Sequence, residues 1–249
     1  MAVLSHEGTY PVLYTTFAIP VGSGTQGGYL ARPDQDGGFP TVLLLPGLKG
    51  LASSERDLCR RLARRGLACL AIDLYGRTPV DPDDALEAYG AVDDAEVLRL
   101  VDESAQYCAS ADADWSIGER IGLLGIDVGG RFAVMVAARR SYVAAISVVY
   151  APLTGDEDRT YPIADNLAYL GMPVLGIYGK NDSLIDTDSV DEAQRRNANG
   201  QWLLYEEAGH DFLDPTSVDY HEDAAADATE RIIGFFSATL PQPEVIEPA

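Results

Sequence analysis

Short β-branched or aliphatic runs alternate with longer amphipathic ones along most of this chain, and that alternation restricts the possible folds more than any other feature. Thr41 to Leu45, Leu67 to Ile72, Ile121 to Leu124, Ala144 to Tyr150 and Val174 to Tyr178 are apolar almost without interruption, not at every second position. Strands of that kind are buried on both faces and belong in a parallel sheet covered by helices. The intervening segments carry helical spacing. Leu58 and Leu62 recur at i and i+4, Ser54 with Asp57 predicts a capping pair, and Gly66 closes the segment. A second helix is expected from about Ala85 to Cys108 and a third from Arg131 to Arg139. The last should run from about Asp223 to Leu240, with Ala228, Ile232, Phe235 and Phe236 on one face. The first forty residues, with Gly22, Gly24, Gly27 and Gly28, predict an antiparallel strand pair. The expectation is a single α/β domain over residues 1–240, with helices on both faces of a mostly parallel sheet and a disordered, proline-rich tail at 241–249.

Charge narrows the partners. With 18 Lys+Arg against 39 Asp+Glu, the formal charge of −21 repels a phosphate backbone or an anionic membrane over most of the surface. Nucleic-acid binding is therefore disfavoured. No apolar run approaches the roughly 18 to 20 residues of a membrane span, and Met1 to Pro20 lacks the pattern of a signal peptide, so a cytoplasmic protein is the default expectation. Cys59, Cys69 and Cys108 lie in apolar stretches without paired C-x-x-C spacing and read as buried packing residues. No metal, nucleotide or flavin motif is visible, so no cofactor is expected, and the oligomeric state is not legible.

Chemistry concentrates at strand ends. Gly125-Ile126-Asp127-Val128-Gly129-Gly130, between a strand and a helix, has the small-x-nucleophile-x-small pattern of a nucleophile elbow, with aspartate at its centre. Standing alone, Asp127 would read equally well as a helix N-cap. Two further loops follow strands: Gly179-Lys180-Asn181-Asp182, and Glu206-Glu207-Ala208-Gly209-His210-Asp211-Phe212. The order Asp127, Asp182, His210 is that of nucleophile, acid and histidine in the α/β-hydrolase triad. His6 and His221 lie in polar or terminal stretches and read as surface residues. The backbone N–H groups of Leu48 and Val128 are the candidate oxyanion donors, and Tyr75, Arg77, Lys49 and Tyr150 are candidate substrate contacts. Asp156-Glu157-Asp158-Arg159 reads as part of a solvated lid, not a metal site.

Together with Asp73-Leu74-Tyr75-Gly76-Arg77 and Tyr205-Glu206-Glu207-Ala208-Gly209-His210-x-Phe212, these motifs resemble the dienelactone hydrolase family over about Thr15 to Leu240. The resemblance implies an α/β-hydrolase fold without a large cap, which the short stretch between Tyr150 and Pro173 also predicts. It implies lactone-opening chemistry on a small organic substrate, with Asp127 at the nucleophile position, Asp182 as acid and His210 as base. Arg77 matches an arginine that contacts the substrate carboxylate in the dienelactone enzymes.

The sequence departs from that pattern in three places. Asp127 replaces the family's cysteine, Pro46-Gly47-Leu48-Lys49-Gly50 carries no glutamate, and no second arginine stands shortly after His210, which is followed by Asp211, Phe212, Leu213 and Asp214. A carboxylate attacking an ester would form an anhydride, more reactive than the ester itself, so Asp127 suits either displacement at saturated carbon or general-base work. A histidine between two carboxylates should be held as imidazolium, and could then act as a general acid. The expectation is a hydrolase using Asp127 as nucleophile or base. The same acid–base pair could serve an isomerase, cyclase or lyase, and a catalytically inactive ligand-binding relative is the third possibility.

Overall fold

The computed structural model describes residues 10–76, 84–152 and 163–242. Eight strands form one sheet in the order β1-β2-β4-β3-β5-β6-β7-β8. β1 (Val12–Val21) and β2 (Gly24–Pro33) are the expected antiparallel pair, and β2 also runs antiparallel to β4 (Ala68–Ile72). From β4 onward all pairings are parallel, through β3 (Thr41–Leu45), β5 (Ile121–Ile126), β6 (Val143–Val149), β7 (Val174–Gly179) and β8 (Gln201–Tyr205). Every residue of β3, β4, β5, β6 and β7 is buried, which is why these strands read as unbroken aliphatic runs.

Among the described residues seven helices follow the strands: α1 (Ser53–Arg64), α2 (Ala85–Gly90), α3 (Asp94–Cys108), α4 (Val128–Ala137), α5 (Ile163–Leu167), α6 (Thr187–Arg196) and α7 (Glu222–Thr239). Two glycines of β5 show that they cover both faces. A side chain on Gly122 would strike Phe236 of α7, whereas one on Gly125 would strike the backbone of Gly130 in α4. Positions three apart in a strand point to opposite faces, so α7 and α4 sandwich the sheet. The pair Arg65–Glu230 ties α1 to α7 on one side, and Arg131–Asp94 ties α4 to α3 on the other.

Two local expectations need correction. The helix expected from Ala85 to Cys108 is two helices, because Asp93 leaves helical geometry and its side chain accepts the N–H groups of Ala95 and Glu96, starting a new helix. The Ser54–Asp57 capping pair is not formed. Ala52 occupies the N-cap without a side-chain bond, the Ser54 hydroxyl turns to Glu55, and Asp57 pairs with Arg60 and Arg61. All three cysteines are free and buried. The described residues include no cap domain. Arg77, His6, the lid assigned to 156–159 and nearly all of the 241–249 tail lie outside them. No described helix is long and apolar enough to cross a membrane.

Candidate active site

Parallel strands deliver their following loops to one edge of the sheet, and the strand-end motifs meet there. Asp127 directly follows β5, Tyr150 follows β6, Asp182 lies three residues past β7, and His210 five past β8. The loops are stitched together by main-chain bonds: Asp127 N–H to Val149 O, Tyr150 N–H to Ile177 O, and Asn181 N–H to Ala208 O.

Asp127 sits at φ 49°, ψ −127°, a backbone state that costs an L-residue ~1–3 kcal/mol and survives only when its surroundings enforce it. The enforcement is steric. A side chain on Gly129 would run into the Leu45 carbonyl, so this glycine lets the elbow press against the end of β3. Asp127, Tyr150 and Asp211 are the non-glycine residues with positive φ among the described residues, and all three line one pocket. Strain gathered in this way marks a site that the rest of the fold sustains.

The aspartate does not cap α4. Its Oδ2 accepts the Leu48 N–H at 3.0 Å, from the turn after β3, while Oδ1 faces His210 Nε2 at 3.7 Å. Gly47 makes this arrangement possible, since a Cβ there would lie 2.9 Å from the Cβ of Asp127. His210 Nδ1 is 2.8 Å from Asp182 Oδ2, and Asp182 Oδ1 is itself fixed by the N–H groups of Leu184 and Ile185 at 2.8 and 3.0 Å. Thus Asp182 orients the imidazole through a true hydrogen bond, and Asp127 acts on it at ion-pair range. The Tyr150 ring packs beside the imidazole, with centroids 5.2 Å apart. Burial disfavours charge on His210, but hydrogen bonding and the negative charges of Asp127 and Asp182 outweigh it and push its pKa up to about 10. At neutral pH this holds the imidazole in its protonated form.

Of the other expected residues, Val128 opens α4, so its N–H has no acceptor within the helix. Lys49 lines the pocket, but its ammonium is held at 2.9 Å by both Asp211 and Asp214, which raise its pKa beyond the opposing effect of burial. Tyr75 lies elsewhere, lining a depression with Leu74, Asp84 and Val92. The pocket measures about 200 Å³ and also contains Glu55, Asp211, Asp214 and Leu184, none of which the motifs singled out. Glu55 could have been found by asking which acidic residue in the first turn of α1 follows the β3 strand end. Among the described residues no group of three or more His, Cys, Asp or Glu side chains is placed to hold a metal ion.

Residues 27–240 match the model of the dienelactone hydrolase family. The chain is 31% identical over 233 residues to an Escherichia coli (strain K12) protein named "Putative carboxymethylenebutenolidase", covering 88% of this chain and 84% of that one. It is also 31% identical over 217 residues to a Bradyrhizobium protein named "Probable 2-oxo-3-(5-oxofuran-2-ylidene)propanoate lactonase", covering 80% and 84% of the two chains. A crystal structure described as a putative dienelactone hydrolase from Klebsiella pneumoniae superposes with a TM-score of 0.83 at 28% identity, over 91% of this chain and 99% of that one. Fold, strand-end geometry and sequence agree, and the chain belongs to the dienelactone hydrolase family.

Proposed function

We propose that the protein hydrolyses a small lactone or ester, with Asp127 as general base toward water and His210 as general acid. The observation that carries this reading is the pairing itself: an oriented imidazolium cannot take a proton from water, whereas the Asp127 carboxylate, anchored through Oδ2, leaves Oδ1 free to do so. In this scheme Oδ1 accepts a proton as water adds to the acyl carbon, and His210 Nε2–H protonates the leaving oxygen. A proton passing from Asp127 back to His210 restores both groups. Once Asp127 is protonated its Oδ2 is a poorer acceptor, so the Leu48 N–H becomes available to the developing oxyanion beside that of Val128. Relatives named as a carboxymethylenebutenolidase and a lactonase support the substrate class.

The anchored Oδ2 and free Oδ1 also suit attack on saturated carbon, with water later cleaving the alkyl ester of Asp127. Aryl-ester kinetics test the base reading against acyl transfer to residue 127. On an activated aryl ester the wild type should release product without a burst, and the Asp127→Cys variant should show a burst with an acyl adduct detectable by intact mass. A burst and adduct in the wild type would contradict the base reading.

A further inference from the structure

The catalytic pocket does not end at Asp127. It shares Glu55, Ile126 and Tyr150 with a larger cavity of about 400 Å³ between α1, α7 and the 213–220 loop, where Leu58, Leu213, Pro215 and Ala225 supply an apolar wall. Glu55 stands at the junction of the two. Resting on the reading of Asp127 and His210 above, we propose that Glu55 is a substrate-binding residue whose carboxyl donates a hydrogen bond to an uncharged oxygen acceptor, selecting neutral esters or lactones whose arm continues into this groove.

Glu55 is only 7% exposed, and its side-chain hydrogen bond comes from the Ser54 hydroxyl at 2.9 Å. Among the described residues no cation pairs with it. In the pocket Lys49 is engaged by Asp211 and Asp214 and His210 by Asp127 and Asp182, while Arg60 and Arg61 on its own helix are engaged by Asp57. A buried carboxylate without a cation is costly, so the neutral acid is the favoured form. Burial is the main cause, opposed by the Glu55 N–H and Ser54 and reinforced by the charges of Asp214 and Asp211, and the carboxyl is held up to about 7. From the other elements around the two cavities Glu55 faces Asp127, His210 and Tyr150, and across the groove Tyr220 and Glu222. Below about pH 7 its O–H is a donor at the cavity surface. An anionic group would meet Asp127, Asp211 and Asp214 in the catalytic pocket, where Lys49 is already neutralised, and Glu222 in the groove, where Arg60 and Arg61 are already engaged by Asp57, which is the reason for assigning an uncharged substrate.

The test is binding, which does not depend on turnover. The probes are an alkylidene cyclopentenone with a neutral amide arm, a carbocycle that cannot be hydrolysed as a lactone, and its counterpart with a carboxylate arm. Calorimetric titration should find the amide bound about tenfold more tightly than the carboxylate at pH 6. Wild-type affinity for the amide should fall about tenfold by pH 8.5, and Glu55→Gln, which keeps a donor but cannot ionise, should remove that fall. Infrared difference spectra at pH 6 should contain a protonated-carboxyl band absent from Glu55→Gln. Loss of the band in wild type, an unchanged pH dependence in Glu55→Gln, or tighter binding of the carboxylate arm would each overturn the proposal. Glu55→Gln activity on the aryl ester, read beside Asp127→Asn, separates failure of this assignment from failure of the acid–base reading.

Discussion

Asp127→Asn should lower kcat/KM on a neutral unsaturated lactone by about 10²–10⁴-fold, the usual contribution of a positioned general base, while the protein stays folded. Asparagine tolerates positive φ better than most side chains and keeps an Oδ acceptor for the Leu48 N–H, so the elbow retains its geometry. What it lacks is the ability to take a proton, and the negative charge. The lost charge gives a second readout. His210 should titrate below about 10 in the variant, though still above an ordinary histidine, because Asp182 remains. In the wild type the folded pKa lies above the unfolded value near 6.5, so the stabilisation from the charged imidazolium is complete below pH 6.5 and disappears as pH rises to about 10. Asp127→Asn should narrow that window from its upper end. NMR titration of the imidazole and denaturation at several pH values between 6 and 10 measure both effects. Unchanged turnover in Asp127→Asn would remove Asp127 from the chemistry.

The largest loss of stability is expected away from the pocket, from Asp94→Ala. Arg131, on the helix that follows the elbow, is fully buried, and its two terminal nitrogens bond the Asp94 carboxylate at 2.8 Å each. Removing one partner of such a buried, doubly bonded pair costs ~3–5 kcal/mol. Urea denaturation should detect it as a lower midpoint with little change in slope. Replacing both partners with apolar residues, Asp94→Leu with Arg131→Met, should recover most of the loss, because desolvation of the two charges then vanishes together. Since α4 begins at the residue after Asp127, the single variant should also loosen the elbow and lower activity. The double variant should restore that in step with stability.

Those two residues illustrate what the sequence does and does not disclose. Asp127, Asp182 and His210 were legible because each closely follows a strand of the parallel part of the sheet, and parallel strands bring their following loops to one edge. The strands were legible because burial on both faces removes polar positions altogether. Arg131 and Asp94 were not, because an arginine on a helix normally faces water, and only the packing of α4 against α3 buries this one. Glu55 escaped notice for the same reason: its placement depends on how the first turn of α1 meets the β3 loop, which no spacing encodes. The break between α2 and α3 was marked in the sequence by Gly90, the last residue of α2, and by the Asp93 cap that opens α3. The Leu48 N–H, expected as an oxyanion donor, bonds the Asp127 carboxylate in this structure, a partner that strand-end position does not reveal.

Isotope transfer tests the role of Asp127 most directly. Repeated turnover of a neutral unsaturated lactone in water enriched in ¹⁸O, followed by mass analysis of the product and of the peptide containing Asp127, follows the oxygen that attacks. Water activated by Asp127 predicts label in the product carboxylate and an unlabelled Asp127 peptide. Label in the side chain of Asp127 would mean that water cleaved a covalent ester of that residue, and would contradict the account.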